Sequence, residues 1–190
     1  PLKGSAGELL LADAINGAQE CDIAVIFAGL PEAYESEGFD RTTLAMPDSH
    51  NTLIARIAQA NPNTVVVLVG GAPVEMPWLG KVKAVLNLYL GGQAGGLAAA
   101  ELLAGIANPS GKLAESYPLA YADVSSAGLY ETGGKQVQYR EGIYVGYRYY
   151  EKAQKPVLFP FGHGLSYTAF EYSNLAISHT ELQAPYALKV

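Results

Sequence analysis

The chain has 190 residues, 49% of them hydrophobic and 16% charged, with a formal net charge of −6. That is enough apolar material for a real core and too little charge for a disordered chain, and no Lys/Arg block is present to neutralise the phosphates of a nucleic acid. No apolar run is long enough to cross a bilayer, and the single cysteine, Cys21, excludes both an intramolecular disulfide and a cysteine-based zinc site.

In chain order, Ser5 to Glu20 carries Leu9, Leu10, Ala12, Ala14, Ile15 and Ala18 at spacings that predict one apolar helix face. The opening stretch lacks the charged head and apolar centre of a signal peptide. It enters a helix with no strand before it, so the chain is expected to be a piece of a longer one. Residues 22–28, "DIAVIFA", read as a strand covered on both faces. Residues 48–60 form an amphipathic helix with Leu53, Ile54, Ile57 and Ala58 inward, capped by Asp48 or Ser49 and stopped by "NPN" at 61–63. "TVVVLVG" (64–70) is the clearest strand, rich in β-branched residues. "GAPVEMPW" (71–78) is a loop and "KAVLNLYL" (83–90) a third strand. A glycine-rich turn then leads into a helix over 96–106 that Asn108-Pro109 ends. Strands and helices alternating over short connections predict an α/β fold, a mostly parallel sheet with helices on both faces.

Beyond residue 110 helical periodicity is lost and tyrosines crowd in. "GIYVGYRYY" (142–150) alternates like a strand, and a Pro/Gly-punctuated segment (155–178) leads into a second alternating stretch, Phe170 to Ser178. The remainder, to Val190, reads as the start of a β-sandwich module.

Several groups are candidates for chemistry. Glu32, Glu35, Glu37, Asp40 and Arg41 crowd the loop that leaves the first strand, and open parallel sheets bind ligands beyond the carboxyl ends of their strands. Carboxylates set close together there can supply a general acid. The plainer reading, which composition alone favours, is a solvated acidic loop in which Arg41 pairs with Asp40 or a helix end. "GGQAGG" (91–96) lacks the spacing of a dinucleotide or P-loop motif, so close packing of the helix start on the sheet accounts for it better than phosphate binding. No G-x-S-x-G is present to support a serine hydrolase. His50, His163 and His179 have no metal-ligand spacing and are read as structural, His163 through hydrogen bonds that fix a turn. Trp78 either stacks on a sugar or fills the core; its apolar neighbours favour the core. No cofactor or metal is expected.

Five segments, taken together and in order, carry a resemblance: "ESEGFDR", "NTVVVLVGGAPVEMPW", "GGQAGGLAAAELLAGIANPSGKLAESYP", "YREGIYVGYRYY" and "LFPFGHGLSYTAFEYSNL". They resemble the C-terminal α/β sandwich domain of glycoside hydrolase family 3, the β-glucosidase family, over about residues 20–175. The resemblance implies a three-layer domain over 1–168, with 169–190 opening a fibronectin-III-like module. It implies retaining hydrolysis of terminal β-linked sugars, which needs two carboxyl groups about 5 Å apart. The nucleophilic aspartate is then expected on a preceding (β/α)-barrel domain of the same protein, and the partners are that barrel and a β-glucoside or related oligosaccharide or aryl glycoside.

The family's acid/base glutamate directly precedes Gly-aromatic-Asp-Arg, which maps it to Glu37 before Gly38-Phe39-Asp40-Arg41, with Glu35 as runner-up. Asp40 and Arg41 would hold the loop in shape and Gly38 would allow its bend. Loops 29–36 and 125–141 are expected on the aglycone side. Without the barrel, the chain by itself is expected to be inactive. One departure stands out: where the family usually has Pro-Gly-Gln-Glu-Gly-Gly, Ala94 replaces the glutamate, which removes a carboxylate from the start of a helix. The competing expectation is a non-catalytic carbohydrate-binding or scaffold domain that kept the fold. The sugar, the oligomeric state and the compartment are not specified by the sequence.

Overall fold

The computed structural model describes residues 5–130 and 136–177. Helix α1 (Ser5–Gln19) leads to β1 (Ala24–Gly29), a long loop, α2 (Asp48–Ala60), β2 (Thr64–Val69), a 3-10 turn at Leu79–Lys81, β3 (Ala84–Tyr89) and α3 (Gly95–Leu103). The three strands form a parallel sheet in the order β1-β2-β3, with Ala24 opposite Thr64 and Val65 opposite Ala84. Beyond them, β4 (Tyr117–Pro118) pairs antiparallel with β5 (Val157–Phe159), and α4 (Tyr147–Ala153) lies between these two strands in the chain.

The main core sits on one face of the sheet, though Val67 of β2, on the opposite face, is buried as well. Side chains alternate across a strand, so Ala24, Ile26 and Ala28 of β1 and Val66 and Leu68 of β2 point together, and they meet Ile54 and Ile57 of α2 together with Met46, Val74, Trp78 and Tyr117. Trp78 is 1% exposed, and its indole N–H donates to Asn51 Oδ1 at 2.9 Å. It is a core residue, as its neighbours suggested.

The turn after α2 ties the layers together. Asn61, buried, donates through Nδ2 to the carbonyls of Ala18 (2.9 Å) and Cys21 (2.8 Å), while its Oδ1 accepts from the Asn63 amide (2.8 Å). The stop signal of α2 thus also anchors the end of α1, and it satisfies every polar atom it buries.

Several expectations are corrected. In α1 the inward positions are Leu11, Ile15 and Ala18, a 3.6-residue repeat; Leu9 and Leu10 are 67% and 56% exposed, and Ala12 and Ala14 are exposed with them. The apolar residues surround too much of this helix for their spacing alone to select a face. β1 is not covered on both faces: Val25 and Phe27 stay 43% and 59% exposed, because α1 and α2 pack on the opposite side. Helix α2 has Pro47 as its N-cap residue, with no side-chain cap bond. Asp48 falls inside the first turn, where its charge rather than a hydrogen bond favours the helix start. The stretch read as a strand at 142–150 instead enters α4 at Tyr147: Gly146 takes φ +56° just before the helix, and Tyr150 within it is buried. The second alternating stretch has no ladder partner among the described residues, and Phe170, Tyr172, Leu175 and Ile177 are exposed over 170–177. Ser178, His179 and the residues to Val190 lie outside the described residues.

Candidate active site

The loops leaving β1, β2 and β3 all emerge at the carboxyl end of the parallel sheet. The β1 loop is the long one. It starts as a continuation of the ladder, with the Leu30 amide donating to the Val69 carbonyl at 3.1 Å. A turn follows in which the amides of Tyr34 and Glu35 donate to the Pro31 carbonyl at 2.7 and 3.1 Å. Next comes a tight reversal: Ser36 and Phe39 form an isolated antiparallel bridge, and the Gly38 amide donates to Ser36 Oγ at 3.2 Å. Glu37 stands at the tip of that reversal and is exposed.

Three long-range bonds pin the loop to the segment after β2. The Gly71 amide donates to Glu35 Oε2 at 2.8 Å. Arg41 Nη1 donates to the Pro73 carbonyl at 3.1 Å. The Glu75 amide donates to the Leu44 carbonyl at 2.8 Å. Glu35 and Arg41 are both partly buried. Burial lowers the Arg41 guanidinium from its usual value, while the Glu35 carboxylate acts in the opposite sense; the group stays charged at any working pH. Arg41 Nη2 is buried without a partner. Arg41 therefore turns towards Pro73 and Glu35 rather than towards Asp40, and Asp40 is exposed and takes no part in these anchors.

Gly38 does not serve the bend in the expected way. It lies outside the left-handed region, and a Cβ there would meet only Ser36 Oγ, at 3.7 Å. In the 91–96 turn, close packing against the sheet is also not what fixes the glycines. Gly92 needs its glycine for φ +60°, and a Cβ on Gly91 would come within 3.0 Å of Gly95 Cα, at the start of α3 itself. Ala94 is the N-cap residue of α3 and offers no side-chain cap bond.

The histidines are structural where they are described. His50 Nδ1 lies 3.0 Å from the Gly29 carbonyl and so ties the start of α2 to the end of β1. The His163 amide donates to the Pro160 carbonyl, its carbonyl accepts from the Leu113 amide, and its ring stacks on Phe159 at 4.9 Å. Among the described residues no group of three His, Cys, Asp or Glu is placed to hold a metal.

A second carboxylate, Glu115, was not singled out from the sequence. β3 carries a bulge, since Leu68 pairs with Asn87 but Val69 pairs with Tyr89, and Tyr89 takes φ +51°. A bulge re-aims the side chain that follows it, and here the Tyr89 hydroxyl reaches Glu115 Oε1 at 3.4 Å. Asn87 Nδ2 donates to the neighbouring Tyr117 hydroxyl at 2.8 Å. Burial pushes the Glu115 carboxyl up, offset in part by the bond from Tyr89, and burial likewise raises Tyr117 and Tyr89. No local pattern in "KLAESYP" announces this, because the partners come from β3.

An open cleft of about 340 Å³ is lined by Ser125, Leu129, Arg140 and Glu141 together with Tyr144, Tyr149, Lys152 and Ala153. Ser125 Oγ donates to Glu141 there.

Over residues 7–167 the chain matches the family described as glycosyl hydrolase family 3 C-terminal domain. It is 51% identical over 175 residues to a thermostable beta-glucosidase B from Acetivibrio thermocellus, which covers 92% of this chain and 23% of that protein. It is 45% identical over 176 residues to an exo-alpha-(1->6)-L-arabinopyranosidase from Bifidobacterium breve, covering 92% and 23%. Among solved structures, a beta-glucosidase from Kluyveromyces marxianus in complex with glucose matches with a TM-score of 0.85 at 42% identity, over 90% of this chain and 20% of that one. A family 3 beta-glucosidase from Bifidobacterium adolescentis matches with a TM-score of 0.87 at 43% identity, over 92% and 26%. The chain thus spans about a fifth to a quarter of the proteins it matches. On the family match and these identities, it belongs to the C-terminal domain family of glycoside hydrolase family 3.

Proposed function

We propose that this chain is the acid/base-bearing second domain of a retaining β-glycosidase, with Glu37 as the general acid/base and a nucleophilic aspartate on a barrel domain of the same full-length protein. The observation that carries the reading is the form of the β1 loop: an exposed carboxylate at the tip of a tight turn, on a loop fixed at three points to the sheet end. A group that must reach a sugar held elsewhere needs both exposure and a rigid base. The relatives differ by name in the sugar they release, so the proposal stops at a terminal non-reducing sugar. The organisation proposed with it is an α/β sandwich domain over 1–168 and the opening of a fibronectin-III-like module over 169–190; the family match ending at residue 167 supports that boundary.

In the first step the protonated Glu37 carboxyl gives its proton to the glycosidic oxygen. The bond from that oxygen to the anomeric carbon breaks as the aspartate oxygen bonds to the same carbon. In the second step water attacks the anomeric carbon, its proton passes to the Glu37 carboxylate, and the ester to the aspartate breaks. Each step leaves Glu37 ready for the next.

The test is Glu37→Gln in the full-length enzyme. Turnover of β-glycosides with poor leaving groups should fall about 10²- to 10⁴-fold, the usual worth of a general acid. Activated aryl glycosides, whose leaving groups need no proton, should lose far less in the glycosylation step. Equal losses on both substrates, or none, would remove Glu37 from the role and point to Glu35 or to neither carboxylate.

A further inference from the structure

We propose that Glu35 is a positioning residue for the Glu37 turn: its carboxylate clamps that turn to the backbone after β2, and Gly71 is the other half of the clamp. The inference rests on the reading of Glu37 as acid/base and explains how its loop is held.

Glu35 and Glu37 are two residues apart and are treated differently by the fold. Glu37 is exposed, whereas Glu35 is partly buried and turned back onto the sheet end. Its Oε2 accepts the Gly71 amide at 2.8 Å across 36 residues of chain, a charge-assisted bond of the stronger kind. The fit around it is close. A Cβ on Gly71 would lie 3.1 Å from Glu35 Oε1, 3.4 Å from its Cδ and 3.3 Å from Leu90 Cδ1. A side chain at 71 would therefore press on the carboxylate and on Leu90 of the β3 loop, each of which would have to give by a few tenths of an ångström. Gly70, the preceding residue, donates to the Tyr89 carbonyl at 3.3 Å, so the clamp bears on backbone that is itself tied to β3. Arg41, on the far side of the turn, donates to Pro73 and faces Glu35 electrostatically. The reversal at 36–39 thus hangs between two anchors, Glu35 before it and Arg41 after it. Both grip the same three-residue stretch of the β2 loop, at Gly71 and Pro73.

A clamp and a proton donor make opposite demands on position 35. The clamp needs an acceptor oxygen, which a glutamine amide supplies; a donor needs a titrating carboxyl, which it does not. A residue acting through Glu37 also matters only while Glu37 does. The experiment is a set of variants of the full-length enzyme assayed for kcat and KM on glycosides with poor and good leaving groups: Glu35→Ala, Glu35→Gln, Gly71→Ala, Glu37→Gln, and Glu35→Ala combined with Glu37→Gln. Glu35→Ala should lower kcat on poor leaving groups about 10- to 100-fold, the scale of a misplaced catalytic group, and Gly71→Ala, which only nudges the carboxylate, should lower it in the same direction by less. Glu35→Gln should recover most of the Glu35→Ala loss. In the Glu37→Gln background, Glu35→Ala should cost less than about 2-fold, because coupled residues are not additive.

If Glu35→Gln is as poor as Glu35→Ala, or if Glu35→Ala costs the same in both backgrounds, the clamp is overturned while the Glu37 assignment stands. If Glu37→Gln leaves poor leaving groups unaffected, both fall. Should Gly71→Ala fail to fold, the glutamine rescue and the double variant still decide.

Discussion

The two parts of this molecule close their polar groups by different means. From α1 to α3 the backbone is satisfied by helices and by a three-stranded parallel ladder over one apolar core. From β4 onwards regular structure is short: the backbone closes through turns, as from the Asp123 amide to the Ala120 carbonyl and from the Gly162 amide to the Leu113 carbonyl, and aromatic side chains carry much of the packing. The Tyr147 ring lies 5.0 Å from Phe161, Tyr149 lies 5.3 Å from Tyr150, and Arg148 sits over Tyr147. The tyrosine-rich part reaches the main core through Tyr117, which is 1% exposed and meets Phe159 edge-on at 6.1 Å, with Leu113 and Leu158 also packed against that core. The difference teaches a division of labour. The ladder makes a rigid platform whose loops can be aimed, and the later segment is fastened to that platform at a seam. Glu37 and its anchors belong wholly to the first part.

The comparison is tested most severely at Trp78. It fills the centre of the platform, and truncation to alanine should cost about 3–5 kcal/mol from lost burial and the cavity left behind. Urea unfolding of the 190-residue chain measures it. A loss below about 1 kcal/mol would mean that the core described here does not hold the fold. The seam should respond more weakly. Tyr117→Phe keeps the ring and removes the hydroxyl that accepts from Asn87 Nδ2, leaving a half-buried donor unpaired at about 1–2 kcal/mol. If the two losses came out equal, platform and seam would not differ as proposed.

What could be read from the sequence follows the same division. Strands β1 to β3 and helix α2 are legible because their signals are local. "TVVVLVG" is rich in β-branched residues, and Ile54, Ile57 and Ala58 repeat with the helix. α4 is not legible, because "GIYVGYRYY" alternates like a strand, and the chain turns into a helix only after Gly146, at φ +56°. Leu9 and Leu10 misled for a related reason: which side of α1 faces inward is decided by α2, not by α1. In the site, family likeness picks out Glu37 and composition notes the acidic crowding. The clamp between Glu35 and Gly71 joins positions 36 apart in the chain and has no local signature. The same holds for Glu115, whose environment is built by a bulge in β3.

Glu115 also gives the smallest and most selective test of the seam, through pH. Burial holds its folded-state pKa above the ordinary value of 4.5, so the folded chain keeps this proton to higher pH than the unfolded chain does. The sign follows from linkage: where the folded state binds more protons, stability falls as pH rises. The contribution is intact below pH 4.5, is lost as pH climbs through the raised value, and stays lost above it. Glu115→Gln cannot ionise, and its amide oxygen still accepts from the Tyr89 hydroxyl. Other carboxylates titrate equally in both proteins and cancel in the difference. The variant should therefore match the parent at acid pH and exceed it near neutrality, by less than about 1 kcal/mol because the group is only half-buried and solvent screens it. Stability curves of the two proteins, measured in urea from pH 4 to 8 and subtracted, should rise once and level off. A flat difference would mean that Glu115 is solvated in the folded chain and that Tyr89 and Tyr117 do not enclose it, whereas a difference that falls with pH would mean that its ionised form is stabilised there.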